Sequence, residues 1–166
     1  RRTRGYVRII CLKARQQGIS TYIEGRNYSE NSQRIGGKSL VLTHKAESTD
    51  ALWEMTRRFH DRCPAFLKPS TKYSSKRELF FNALDSQLTV ATAGGYGVAR
   101  GETNTFLHAS EMAFWPKSTA REMWTGLRQT VADKDGTFLF IESTANGMGN
   151  LFHDLCMGAY KKEVRP

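Results

Sequence analysis

The chain has 166 residues, 39% of them apolar, and a mean hydropathy of −0.53. That is enough chain for one domain with a real core, and no apolar run nears the roughly 18 residues of a membrane span. The net charge of +9 points to a polyanionic partner such as DNA or RNA, and Cys11, Cys63, Cys156 and the four histidines lack the spacing of a disulfide framework or a zinc site.

In chain order, Val7 to Leu12 reads as a buried strand. The basic stretch Lys13-Ala14-Arg15-Gln16-Gln17-Gly18-Ile19-Ser20-Thr21 follows and opens a helix. Strand, glycine-containing turn and helix N-terminus form the arrangement of a phosphate-binding loop, where backbone N–H groups and the helix dipole favour anions. Aligned on Gly18 and Ser20, the usual pattern G-x-x-x-x-G-K-[ST] meets Lys13 at its first glycine and Ile19 at its lysine. On this stretch alone, a basic turn before a surface helix is an equal reading.

Residues 19–33 are helical by spacing, with Ile19 and Ile23 on one face, and Gly36-Gly37 turns the chain. Residues 39–43 read as a strand, and 47–62 as a helix carrying Leu52, Met55 and Phe59. Residues 64–76 read as loop, and 78–81 with 87–92 as a hairpin. Residues 93–101, with Gly94, Gly95, Gly97 and Gly101, form a glycine-rich loop containing Arg100. Residues 105–109 are a strand ending in Ser110-Glu111. Thr119 and Glu122 have the spacing of a capping box for a helix with Met123, Trp124, Leu127 and Val131. Residues 137–141 are a strongly apolar strand, and 150–160 a helix.

Short strands alternating with helices predict an α/β fold with a mainly parallel sheet, in which ligands bind at the C-terminal strand ends. Three predicted strand ends are polar: Lys13 to Gln16, Ser110-Glu111, and Ser143-Thr144-Ala145-Asn146. An acid that follows a strand, downstream of a phosphate loop, is placed to orient attacking water. Ser110 stands where nucleotide hydrolases carry an Asp that helps to hold Mg²⁺. For Ser143 to Asn146, spacing alone favours a polar loop that caps the next helix.

Taken in order, Arg15 to Thr21, Leu107 to Trp115 and Glu142 to Gly147 resemble the ATPase domain of bacteriophage terminase large subunits, the motors that package DNA into procapsids. The likeness runs from about residue 6 to residue 153. It implies a P-loop NTPase core of the ASCE type, mainly parallel sheet flanked by helices. Residues 1–166 would form a single ATPase domain, a fragment lacking an upstream adenine-contacting segment and a downstream nuclease domain. The implied cofactors are ATP and Mg²⁺. By resemblance, Lys13, Arg15, Gln16, Gln17, Gly18, Ile19, Ser20 and Thr21 form the nucleotide loop. Lys13 replaces the missing lysine, Arg15 senses the γ-phosphate, and Ser20 and Glu111 serve the metal. Glu111 is the catalytic carboxylate, Arg100 acts on a neighbouring subunit, and Ser143, Thr144, Ala145 and Asn146 couple hydrolysis to movement. The implied partners are double-stranded DNA, a portal protein, a small terminase subunit and further copies in a ring. The implied place is the host bacterial cytoplasm, transiently at the procapsid portal, with no membrane. Two rival readings stay open: a nucleic-acid-binding module with a vestigial ATP site, and another P-loop DNA-translocating ATPase of helicase type.

Overall fold

The computed structural model describes residues 5–75, 77–94 and 103–162. Seven strands build one sheet: β1 (Val7–Leu12), β2 (Lys38–Thr43), β3 (Thr71–Ser75), β4 (Glu78–Phe81), β5 (Ser86–Thr92), β6 (Phe106–Ser110) and β7 (Phe138–Ser143). Four helices accompany them: α1 (Ile19–Asn31), α2 (Ala46–Asp61), α3 (Ala120–Gln129) and α4 (Leu151–Tyr160). The strand order is β1-β7-β6-β2-β5-β4-β3. The first five in that order pair in parallel, and β4 and β3 add an antiparallel margin. The architecture is the expected α/β fold, a mainly parallel sheet flanked by helices.

Period-two alternation sends each central strand into two cores. Leu107 and Ala109 of β6, Leu139 and Ile141 of β7 and Leu40 and Leu42 of β2 face one side. There they pack with Trp124 and Leu127 of α3 and Leu151 and Phe152 of α4. On the other side, Phe106, Phe138 and Phe140 meet Ile23 of α1, and Val41, Leu79, Leu88 and Val90 meet Tyr28, Leu52 and Trp53. Full burial of one such side chain stabilises by about 1.5–3 kcal/mol. A parallel sheet needs this cover on both faces.

The structure departs from the sequence reading in three places. Residues 71–75, read as loop, form β3 on the sheet margin beside β4. A marginal strand does not need the apolar run that marks a central one, so its polar composition hid it. The Thr119–Glu122 capping box does not form, because the Thr119 side chain makes no capping bond. A turn on Pro116 starts α3 instead, with Ala120 N–H donating to the Pro116 carbonyl at 2.8 Å. The inward face of α1 is largely polar, with Glu24, Asn27 and Asn31 buried beside Ile23 and Tyr28. Arg100, with Gly95, Gly97 and Gly101, lies outside the described residues.

Among the described residues, no helix is long and apolar enough to cross a membrane.

Candidate functional site

Register brings the three polar strand ends together. Leu12 of β1 lies opposite Ser143 of β7, and Ser110 of β6 lies opposite Glu142 of β7. The chain leaves β1 with Lys13 N–H donating to the Ser143 carbonyl at 3.1 Å. The exposed loop then turns through Gln16 at φ 60° and Gly18 at φ 74°. Nothing would meet a Cβ on Gly18 within 4 Å, so the left-handed backbone is what calls for glycine there. Gln17 Oε1 accepts from Ala14 N–H at 3.3 Å and braces the loop from inside.

No side chain caps α1 at Gly18. The first backbone bond back to the loop is Tyr22 N–H to the Gly18 carbonyl at 2.9 Å, which leaves the N–H groups of Ile19, Ser20 and Thr21 unused by the helix ladder. Arg15, Gln16, Gln17 and Thr21 are exposed around this opening. The Ile19 side chain, at the usual lysine position, packs inward against the aromatic cluster of β6 and β7. Only its backbone is available to the loop.

Lys13 turns in towards the N-terminus of α1. Its ammonium lies 3.0 Å from Glu111 Oε1 and 3.0 Å from Glu142 Oε2, and donates to Ser20 Oγ at 3.2 Å. Burial disfavours this ammonium, but Glu142 and then Glu111 outweigh it and raise the Lys13 pKa. Ser20 Oγ in turn donates to Glu142 Oε1 at 3.0 Å.

Glu111 follows β6 directly and is itself left-handed, at φ 49°. A non-glycine residue held there stores roughly 1–2 kcal/mol of strain. The bonds that hold it come from the end of β7. Glu111 Oε2 accepts from Thr144 N–H at 3.1 Å, from Thr144 Oγ1 at 3.2 Å and from Ser143 Oγ at 3.3 Å. Two further bonds join the same segments. Ala113 N–H donates to Ser143 Oγ at 3.2 Å, and Asn146 Nδ2 donates to the Ala113 carbonyl at 3.0 Å. Capping of α4 falls instead to Asn150, whose Oδ1 accepts from His153 N–H at 2.9 Å. The capping reading of Ser143 to Asn146 is therefore corrected: these residues tie Glu111 and the turn after it to β7.

Sequence reasoning missed the most deeply buried part of the cluster. Glu24, His108 and Glu142 are fully inaccessible to solvent. His108 Nδ1 lies 2.6 Å from Glu24 Oε1, and His108 Nε2 lies 3.3 Å from Glu142 Oε1. Ser110 Oγ donates to Glu142 Oε1 at 2.8 Å, and Thr56 Oγ1 of α2 donates to Glu24 Oε2 at 2.9 Å. Burial opposes charge on both His108 and Glu142. The hydrogen bonds and fields of the two carboxylates nevertheless raise the His108 pKa, and His108, Lys13 and Ser110 lower that of Glu142. The available signal was periodicity: Phe138, Phe140 and Glu142 share a face, and a carboxylate on a buried strand face needs partners.

The implied Mg²⁺ was tested against this donor set. Ser20, Glu111 and Glu142 offer only oxygen, the preference of a hard cation. Glu142 Oε2 is buried and makes no aligned hydrogen bond, meeting only the Lys13 ammonium. No group of three acids, histidines or cysteines among the described residues could cage a metal by itself. Mg²⁺ keeps waters and leans on substrate phosphates, so a few oxygen donors can seat it. The residues fit the ion.

No family model and no curated protein matches the chain. Solved structures do. The HK97 bacteriophage large terminase superposes with a TM-score of 0.71 at 12% identity, over 96% of this chain and 34% of that one. The large terminase ATPase domain of Thermus phage P74-26 gives 0.66 at 22% identity, over 93% of this chain and 65% of that one. An arginine-to-alanine variant of that domain gives 0.66 at 21%, over 92% and 64%. The chain thus spans from about a third to about two thirds of the structures it matches. Its fold is that of a phage large-terminase ATPase domain.

Proposed function

We propose that this chain is the ATP-hydrolysing motor domain of a phage-type terminase large subunit, driving double-stranded DNA into a procapsid. The observation that carries the reading is the Lys13 ammonium held by Glu111, Glu142 and Ser20 beside an uncapped helix N-terminus. A basic loop, a strand-end carboxylate and a helix hydroxyl at one point are what phosphoryl transfer from a nucleotide requires.

The roles follow from the chemistry of each group. The N–H groups of the loop and of the first turn of α1 receive phosphate oxygens. Lys13 exchanges its carboxylate partners for the β and γ phosphates, and that exchange frees Glu111 Oε1. The freed oxygen accepts a hydrogen bond from water and aims it at the γ-phosphorus. The new P–O bond forms as the bond to the β–γ bridging oxygen breaks, the water gives up a proton to Glu111 Oε1, and ADP leaves with the electron pair of the broken bond. Bound with the nucleotide, Mg²⁺ neutralises phosphate charge. Arg15 reaches the γ-phosphate from the exposed loop, and Arg100 of one subunit serves its neighbour in a ring. Ser143, Thr144 and Asn146 pass a shift of Glu111 to β7 and to the turn before α4. Portal protein and small terminase subunit dock on the assembled ring, in the host cytoplasm. The charge of +9 suits the DNA phosphates.

Glu111→Gln in the full-length protein provides the test. ATP turnover, with and without DNA, falls by about 10²- to 10⁴-fold while nucleotide binding persists. Equal turnover in both forms removes Glu111 from the chemistry. DNA binding with no turnover in the parent protein favours a vestigial ATP site.

A further inference from the structure

We propose that Glu142, on β7, is the carboxylate that seats the nucleotide's Mg²⁺ through Ser20, the task for which β6 carries only Ser110. This rests on the reading above and adds a residue to it.

The argument begins with Ser110. Its hydroxyl is neutral and short, and its hydrogen is committed to Glu142 Oε1 at 2.8 Å. Ser110 and Glu142 occupy one rung of neighbouring parallel strands, on the face towards α1. The negative charge has moved sideways by one strand without leaving the level of the site.

Ser20 then shows which way Glu142 works. The Ser20 hydroxyl gives its hydrogen to Glu142 Oε1 at 3.0 Å, while its oxygen receives the Lys13 ammonium at 3.2 Å. A carboxylate that holds the hydrogen of this hydroxyl turns its lone pair outward, towards a cation. Lys13 is that cation here. When phosphate draws Lys13 away, the Ser20 lone pair and Glu142 Oε2 lose the ammonium they share, a setting for a dication and its waters. Oε1 is already saturated by Ser20, Ser110 and His108, so Oε2 is the oxygen left for the task.

His108 and Glu24 hold Glu142 in this pose. His108 bridges the two carboxylates, and Thr56 and Asn27 fix Glu24 from α2 and α1, at 2.9 and 3.5 Å. These are positioning residues, because they touch neither phosphate nor metal.

The experiment uses full-length protein, a fluorescent non-hydrolysable ATP analogue, and Mn²⁺ as the metal probe. Nucleotide affinity is measured in EDTA, and the Mn²⁺ midpoint at saturating nucleotide by electron paramagnetic resonance. Glu142→Gln is expected to raise the Mn²⁺ midpoint about 10- to 100-fold, measured at saturating nucleotide so that a change in metal-free affinity does not enter. Adding Ser110→Asp to Glu142→Gln returns the midpoint towards the parent value. Should Glu142→Gln not fold, Glu142→Asp keeps the charge but draws the oxygens back by one methylene, and its midpoint also rises. An unchanged midpoint in a folded Glu142 variant overturns the proposal while leaving the nucleotide reading intact. A parent protein that binds no nucleotide, with or without Mn²⁺, overturns both.

Discussion

Strands β6 and β7 present two faces that share a backbone and almost nothing else. Towards α3 and α4 they offer Leu107, Ala109, Leu139 and Ile141, a dry and uniform core. Towards α1, each rung changes along the strand: Phe106 with Phe138, then His108 with Phe140, then Ser110 with Glu142. One face stabilises by removing area from water. The other begins that way and ends in buried charge, where desolvation opposes pairing and the net gain is small. The contrast separates the part of the sheet that holds the fold from the part that serves the site.

The sharpest way to break that contrast is His108→Leu. It leaves Glu24 and Glu142 facing each other without the imidazole, and is expected to cost about 3–5 kcal/mol. Urea unfolding measures this. Loss below 1 kcal/mol would mean that the ionic face carries little tension.

Acidity gives a subtler contrast between two buried histidines. The folded pKa of His108 is raised from 6.5 to about 9, so the stabilisation from its protonated form is complete below 6.5 and is lost as pH rises through 9. His60 is buried against Tyr28, whose hydroxyl lies 3.2 Å from its Nδ1, and burial lowers its pKa from 6.5. Its contribution is complete above 6.5 and is lost as pH falls below that value. Unfolding measured across pH should therefore lose its alkaline decline in His108→Leu and weaken its acid decline in His60→Phe. An unaltered alkaline limb in His108→Leu would place the proton elsewhere.

The smallest effect tests the boundary of the site. Asn150→Ala removes the α4 cap and should cost about 1 kcal/mol, read by urea unfolding, with the bonds between Glu111 and Thr144 intact. If ATP turnover falls with it by more than tenfold, the cap belongs to the proposed coupling path as well.

The apolar face was legible in the sequence because it obeys one rule. Leu139 and Ile141 stand out in any window, and so do the spacings that gave β1, β6, β7, α2 and α4. Lys13, Ser20 and Glu111 were also within reach, since the order of loop and strand end carries their meaning. The ionic face was not. Glu24 reads as the solvent side of a helix, and His108 as one polar letter in an apolar strand. Their burial follows from facing each other across 84 positions of sequence, a distance that no local pattern encodes. Glu142 was quoted as the first letter of a motif, while its partners lie elsewhere in the chain, Lys13 and Ser110 at two other strand ends and Ser20 in the first turn of α1.

The left-handed backbone at Glu111 sets a limit on how this domain could drift. Glycine or asparagine would sit at φ 49° with less strain, so a chain selected for stability alone would lose its carboxylate there. On the proposed function, a glutamate at that position sets turnover against the pull of folding. In a population of related chains, the appearance of glycine at 111 would mark lineages in which the proposed motor had stopped.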